Sequence, residues 1–323
     1  MTRERGGLTG RVVVALVFGA AVLGFGALFV VDRRHQLAEV LGELSWPPVL
    51  AALLLALLAQ LAALASYRAI TADLGSPLPP RPAGKVYFVS QLGKYLPGSV
   101  WGMVALVSLA AQQRVPRRTS VAAGVISLVV TVATAGALAA LLLPFGAMDA
   151  VRHFWYVALL LPVLLAGLHP RVVVGVLDVA LRYVGRVPVP SRMSYAGTVR
   201  AAGWQTVCWL LYGLHATVLA VGIGAAATPG TIAVVVGGFA LAYGIGPLFV
   251  LTPAGAGVRE TALVLLLGGV LGGAGGPAAA LALALVSRLL LVVTEFGQAG
   301  VWVLLARSGR PAGRPEPVAL AAR

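Results

Sequence analysis

Residues Thr252–Leu267 read TPAGAGVRETALVLLL. A proline and two glycines open the stretch, Arg259 and Glu260 stand side by side, and the rest is apolar. Backbone that leaves helical geometry at membrane depth has no water to bond. It must be enclosed by protein or line a wet cavity. The meaning of the stretch therefore depends on whether its surroundings are membrane.

The composition answers that. Of 323 residues, 59% are hydrophobic and 11% are charged, where a soluble domain carries about 25% charged residues. Several apolar runs reach the roughly 20 residues needed to cross a bilayer core. The runs are continuous rather than alternating, which excludes a β-barrel. The fold class is an all-α polytopic membrane protein, a single integral membrane domain over 1–323. About eight membrane segments, broken and re-entrant helices included, are expected from runs of this length. The simple spans are Val12–Val31, Pro47–Ser66, Thr119–Leu143, His153–Leu168, Gly203–Ile223, Thr231–Leu251 and Pro277–Leu305, with a shorter segment Val258–Gly272.

The net charge is +14, from 24 Lys and Arg against 10 Asp and Glu. In a soluble protein this excess would point to nucleic acid. Here the arginines lie between apolar runs, as the positive-inside rule expects, so no nucleic-acid partner is inferred. Arg3, Arg5 and Arg11 place the N-terminus in the cytoplasm, and Arg307, Arg310 and Arg314 place the C-terminal tail 306–323 there too. The protein is thus expected in the cytoplasmic (inner) membrane. Arg68, Arg81 and Lys85 lie before the segment KVYFVSQLGKYLPGSVWGMVALVSLAAQ (85–112), and Arg114, Arg117 and Arg118 lie after it. Both ends are then cytoplasmic, so the segment is expected to be re-entrant, turning near Pro97. Residues 168–187 repeat arginine and Asp178 at helical spacing opposite Val and Leu, the pattern of an interfacial amphipathic helix.

Sliding the sequence over itself until Pro97 meets Pro253 brings the second span onto the fifth and the third onto the last. The candidate repeat units are 47–143 and 203–299. The charge argument runs them in opposite directions. Inverted repeats with broken helices are a recurring transporter architecture, and the breaks point to the site.

The chemistry-bearing residues gather at those breaks. Gly255 and Gly257 permit left-handed backbone. A helix starting at Val258 presents free N–H groups that favour an anion, and Arg259 adds a full charge. Glu260 pairs with Arg259 or complements the helix N-terminus, and both readings are open. Together they suit a phosphate-bearing headgroup; the bland alternative is a solvated pair on an interfacial loop. In the first half, Lys94 beside Pro97 and Gly98 either meets a phosphate or snorkels to the interface. Trp101 reads as an interfacial anchor or a ligand contact. Arg288 lies well inside the last span, where an unpartnered charge is costly; Glu260 is its first candidate partner and Glu295 the second. His215 reads as a hydrogen-bonded structural residue before a proton relay, and the lone Cys208 as a small apolar filler. No metal-ligand set, cofactor loop or nucleophile motif occurs, so neither a cofactor nor an enzyme activity is expected.

Pro253, Gly255, Gly257 and Glu260 resemble the P-G-G-x-G-x-x-E signature of the lysylphosphatidylglycerol synthase transmembrane-domain family, with Ala254 in place of one glycine. Ser287-Arg288-Leu289 is similar to its later aromatic-Arg-Leu position, and GKYLPGSVW (93–101) to a first-half motif of one branch. The resemblance implies a flippase-like domain, here a stand-alone member without the soluble aminoacyl-transferase domain. It implies an anionic lipid, whether phospholipid, aminoacyl-phospholipid or polyprenyl-phosphate lipid. Where many members carry Glu and Arg after the first Pro-Gly, Gly102-Met103-Val104 stands here, which leaves the lipid open. The competing expectation is a non-transporting membrane partner of a lipid-modifying or glycosyl-transferring enzyme.

Overall fold

The structure is a computed structural model that describes residues 45–96, 100–146, 193–248, 255, 257–272 and 276–308, with a few positions between 166 and 175. These residues form helices α1 Trp46–Asp73, α2 Pro80–Gln91, α3 Val100–Ala111 and α4 Arg117–Leu142. They continue with α5 Tyr195–Gly222, α6 Pro229–Ile245, α7 Val258–Leu267 and α8 Gly276–Ser308. No strand occurs among the described residues. The protein is a polytopic α-helical membrane protein: α1, α4, α5, α6 and α8 are each long and apolar enough to cross a bilayer. Helices α2 and α3 have 12 residues each and α7 has 10. At 1.5 Å per residue they rise about 15–18 Å, short of a hydrocarbon core of roughly 30 Å.

The second, third, sixth and last expected spans correspond to α1, α4, α6 and α8. The fifth begins at Tyr195 instead of Gly203. Its extra turns are too polar to register as membrane sequence, yet their start is well anchored. Ser194 Oγ accepts from the Gly197 N–H at 2.9 Å. The Asp73 carboxylate at the end of α1 accepts from the Ser194 N–H at 2.7 Å and from its hydroxyl at 2.6 Å. Ser194→Ala removes both the helix cap and a ligand of Asp73, and should cost about 1 kcal/mol in thermal unfolding of the detergent-solubilised protein. An unchanged unfolding curve would show that the link is incidental. The span Val12–Val31 and nearly all of His153–Leu168 lie outside the described residues. So do nearly all of 168–187 and the tail beyond Ser308.

The elements fall into two blocks of one order. Each has a long helix, a second helix ending in a 3-10 turn, a break, a short helix and a long helix. The packing follows the same exchange. Helix α4 packs on α6 as α8 packs on α2; α4 packs on α5 as α8 packs on α1; α3 packs on α4 as α7 packs on α8. The exchange partners α1 and α5 form the most extensive pair. They are antiparallel: Asp73 meets Ser194, Ser66 donates to the Ala201 carbonyl, and the Ala52 carbonyl meets His215. Close approach is allowed by small residues. Ala52, Ala56, Ala59 and Ala63 of α1 are buried, while Leu50, Leu54, Leu58 and Leu61 face outward. Apolar helices in lipid gain nothing from hiding leucine, so association rests on such close backbone contact.

Candidate functional site

Both breaks arise from local chain chemistry. After α2 the chain tightens into a 3-10 turn, Leu92–Tyr95. Leu96 is extended, with φ −85° and ψ 144°. Proline clashes with a helical residue before it, and Leu96 precedes Pro97. A Cβ on Gly93 would press into the Gly102 backbone, so glycine lets the two arms of this break meet. In the second half, α6 gives way to a 3-10 turn, Gly246–Leu248. Gly255 (φ 69°) and Gly257 (φ 84°) then take left-handed conformations that L side chains resist. Gly257 caps α7. Pro97, Gly98 and Pro253 lie outside the described residues.

Five charged side chains converge between the breaks. The Lys94 ammonium, from the first break, bonds Glu295 Oε1 on α8 at 2.5 Å. The Tyr95 hydroxyl donates to the other carboxylate oxygen at 2.7 Å. Glu260, in the first turn of α7, accepts from the Gly257 N–H at 2.7 Å and pairs with Arg288. Glu260 and Arg288 are both buried, 8% and 6% exposed. Arg259 takes neither carboxylate. Its guanidinium lies over the Tyr243 ring, 4.6 Å from the centroid, and its buried Nε has no hydrogen-bond partner among the described residues. Among these five groups, three cations face two carboxylates, and Arg259 is the cation left over.

The second partner considered for Arg288, Glu295, is engaged elsewhere. It lies two turns along the same helix, about 10 Å away, and bonds Lys94 instead. The pair Arg259–Glu260 does not form either. Adjacent helical residues point in different directions, so Glu260 turns to Arg288 and Arg259 to the opposite side.

That opposite side is a cavity of about 320 Å³, lined by Lys94 and Arg259 together with Ser90, Gln91, Ser127 and Gln205. It joins the two halves: Lys94 comes from the first break and Arg259 from the second. Trp101 is 43% exposed and does not line it. Arg288 lies behind Glu260 rather than in the lining. His215 is fully buried in a separate clamp. Its Nδ1–H donates to the Ala52 carbonyl at 2.8 Å, which leaves Nε2 to accept from the Ser287 hydroxyl at 2.9 Å. Both ring nitrogens are used in joining α1, α5 and α8, so His215 is hydrogen-bonded as its sequence context led one to expect. Cys208 is buried with the small residues of α1.

Sequence reasoning missed Tyr243, Tyr95, Gln91, Gln205 and Ser127. Two signals were present. Gln91 and Gln205 are amides inside apolar runs. At the offset that joins Pro97 to Pro253, Tyr87 falls on Tyr243, and both border this region. The same offset puts Met103, a cavity-lining residue, where Arg259 stands in the second half.

Gly246 tests the guanidinium's position without strain. Its φ of −48° suits any residue, but a Cβ there would lie 2.7 Å from Arg259 Nη2 and 2.9 Å from Cζ. Gly246→Ala should therefore move the flexible end of Arg259 off its seat and leave stability within about 1 kcal/mol. The measurement is binding of anionic lipid alongside thermal unfolding. Equal binding would show that the seat of Arg259 does not matter.

The fold and the site together define a class, the polytopic helical membrane proteins with broken helices and a cationic cavity between two halves. The family model of the lysylphosphatidylglycerol synthase TM region matches residues 11–295, and the chain belongs to that family. No curated protein and no solved structure matches the chain.

Proposed function

We infer that this chain, like the family it belongs to, is a membrane protein concerned with lipids. We propose that it binds the phosphate of an anionic lipid in the cavity between the two breaks and lets that headgroup cross the membrane, with no covalent chemistry. The observation that carries the reading is Arg259, whose buried Nε has no partner among the described residues and which lines one cavity with Lys94. A guanidinium is built to donate to phosphate oxygens, and an ionisable group at membrane depth is functional by default. Glu260 and Glu295 hold the neighbouring cations and keep the site from over-binding its guest.

We read the two blocks as inverted repeats, because their element orders agree and α1 runs antiparallel to its counterpart α5. In that architecture the breaks meet at the substrate site. The arginine-rich segments favour the cytoplasmic membrane with both termini inside, and α2 to α3 as a re-entrant pair.

Proteoliposomes of the purified protein provide the test, with fluorescent phosphatidylglycerol and a polyprenyl-phosphate analogue as cargo. Accelerated crossing that Arg259→Ala abolishes is expected. Crossing no faster than in empty vesicles, for either lipid, would sink the reading and favour a partner of a lipid-modifying enzyme, to be sought by copurification.

A further inference from the structure

We propose that the cavity selects a lipid phosphodiester whose remaining headgroup is an uncharged polyol, glycerol or sugar, and rejects headgroups that carry an ammonium. This rests on the phosphate-binding reading above.

Charge is the first argument. Among the described residues, Lys94, Arg259 and Arg288 face Glu260 and Glu295, which leaves one positive charge for the guest. A phosphodiester carries one negative charge, whereas a phosphomonoester carries about 1.5–2 at neutral pH. The diester closes the balance and the monoester overshoots it.

The cavity wall is the second. No Asp or Glu occurs among the described residues that line it. Both nearby carboxylates are turned away, Glu260 to Gly257 and Arg288, and Glu295 to Lys94 and Tyr95. An aminoacyl or ethanolamine headgroup would bring an ammonium beside Lys94 and Arg259 with no counter-charge on the wall. Burying such a charge is costly.

What the wall offers instead is neutral. Tyr67, Tyr87, Gln91, Ser127 and Gln205 all line it. The buried Ser127 hydroxyl has no hydrogen-bond partner among the described residues. Hydroxyls and amides both donate and accept, as a polyol does, so its hydroxyls would satisfy them. A volume of about 320 Å³ suits a headgroup rather than acyl chains.

The test is competitive retention on the full chain in detergent, read by native mass spectrometry. The lipids are phosphatidylglycerol, a polyprenyl-phosphoryl sugar, phosphatidylethanolamine, lysyl-phosphatidylglycerol and phosphatidic acid. Retention of at least one of the first two should exceed each of the other three by at least about tenfold, the penalty expected for an uncompensated buried charge. The ratio between the first two identifies the tail. Arg259→Ala should erase the preference, and Gln205→Glu should shift retention toward the ammonium lipids. Equal or better retention of phosphatidylethanolamine or lysyl-phosphatidylglycerol overturns this inference and leaves headgroup binding intact. A preference that survives Arg259→Ala places the lipid outside the cavity and also overturns it. Retention of no lipid at all defeats the phosphate-binding reading itself.

Discussion

Arg259→Ala is expected to lower binding and crossing of an anionic lipid by about 10- to 100-fold, because hydrogen bonds to charged groups contribute about 1.5–3 kcal/mol. The fold should tolerate the change. Arg259 holds no carboxylate among the described residues, so alanine leaves no counter-charge stranded. The loss to stability is the contact with the Tyr243 ring, about 0.5–2 kcal/mol. Part of that is returned when a cation leaves the neighbourhood of Lys94. Arg259→Lys should fall between wild type and alanine: the charge survives, but the planar fork and its stacking do not. Lipid retention and thermal unfolding, measured on the same preparations, separate the two quantities. An alanine variant that binds lipid as wild type does would remove Arg259 from the site.

The second large effect concerns stability. Glu260 and Arg288 form an ion pair of two buried groups, and Glu260 also holds the N–H of Gly257, the residue that caps α7. Removing one member of a buried pair costs about 3–5 kcal/mol, because the other charge loses its compensation inside the protein. Glu260→Ala and Arg288→Leu should each cost that much. The double change Glu260→Leu with Arg288→Leu should recover most of it, since apolar pairs of similar size often replace buried ion pairs without loss. Equilibrium unfolding in detergent reads all three. Single variants within about 1 kcal/mol of wild type would show that the pair is a minor support. If the doubly substituted protein also retains lipid, the pair shapes the site without touching the guest.

These two sites differ in how far the sequence exposed them. Membrane spans are legible because crossing demands length and hydropathy: α4 and α8 follow the runs closely, while α1 continues past Ser66 to Asp73 and α6 ends at Ile245 before Leu251. The breaks are legible because proline and paired glycines have few other uses at that depth. The partner of Arg288 was within reach too, since a buried charge must be matched and few acids were available. Lys94 with Glu295 was not, because the pair spans 201 residues and nothing local signals it. Nor was the orientation of Arg259 away from Glu260, which depends on how α7 docks. Helix α5 began earlier than its apolar run because its start is fixed by Asp73 of another helix. Hydropathy records what a segment contacts on average, and is silent about caps.

The alanine side of α1 has a consequence for how this chain can diverge. Its two long sides are both apolar, so polarity does not say which one faces α5. Bulk does. The outward leucines can exchange with isoleucine, valine or phenylalanine at little expense, because fluid lipid reshapes around them. Ala52 and Ala56 have no exposed surface at all. Any larger residue there would wedge α1 from α5, at about 1–3 kcal/mol or more per site. Tolerance along this helix therefore alternates with the helical turn, and it is invisible to any scale that scores only greasiness.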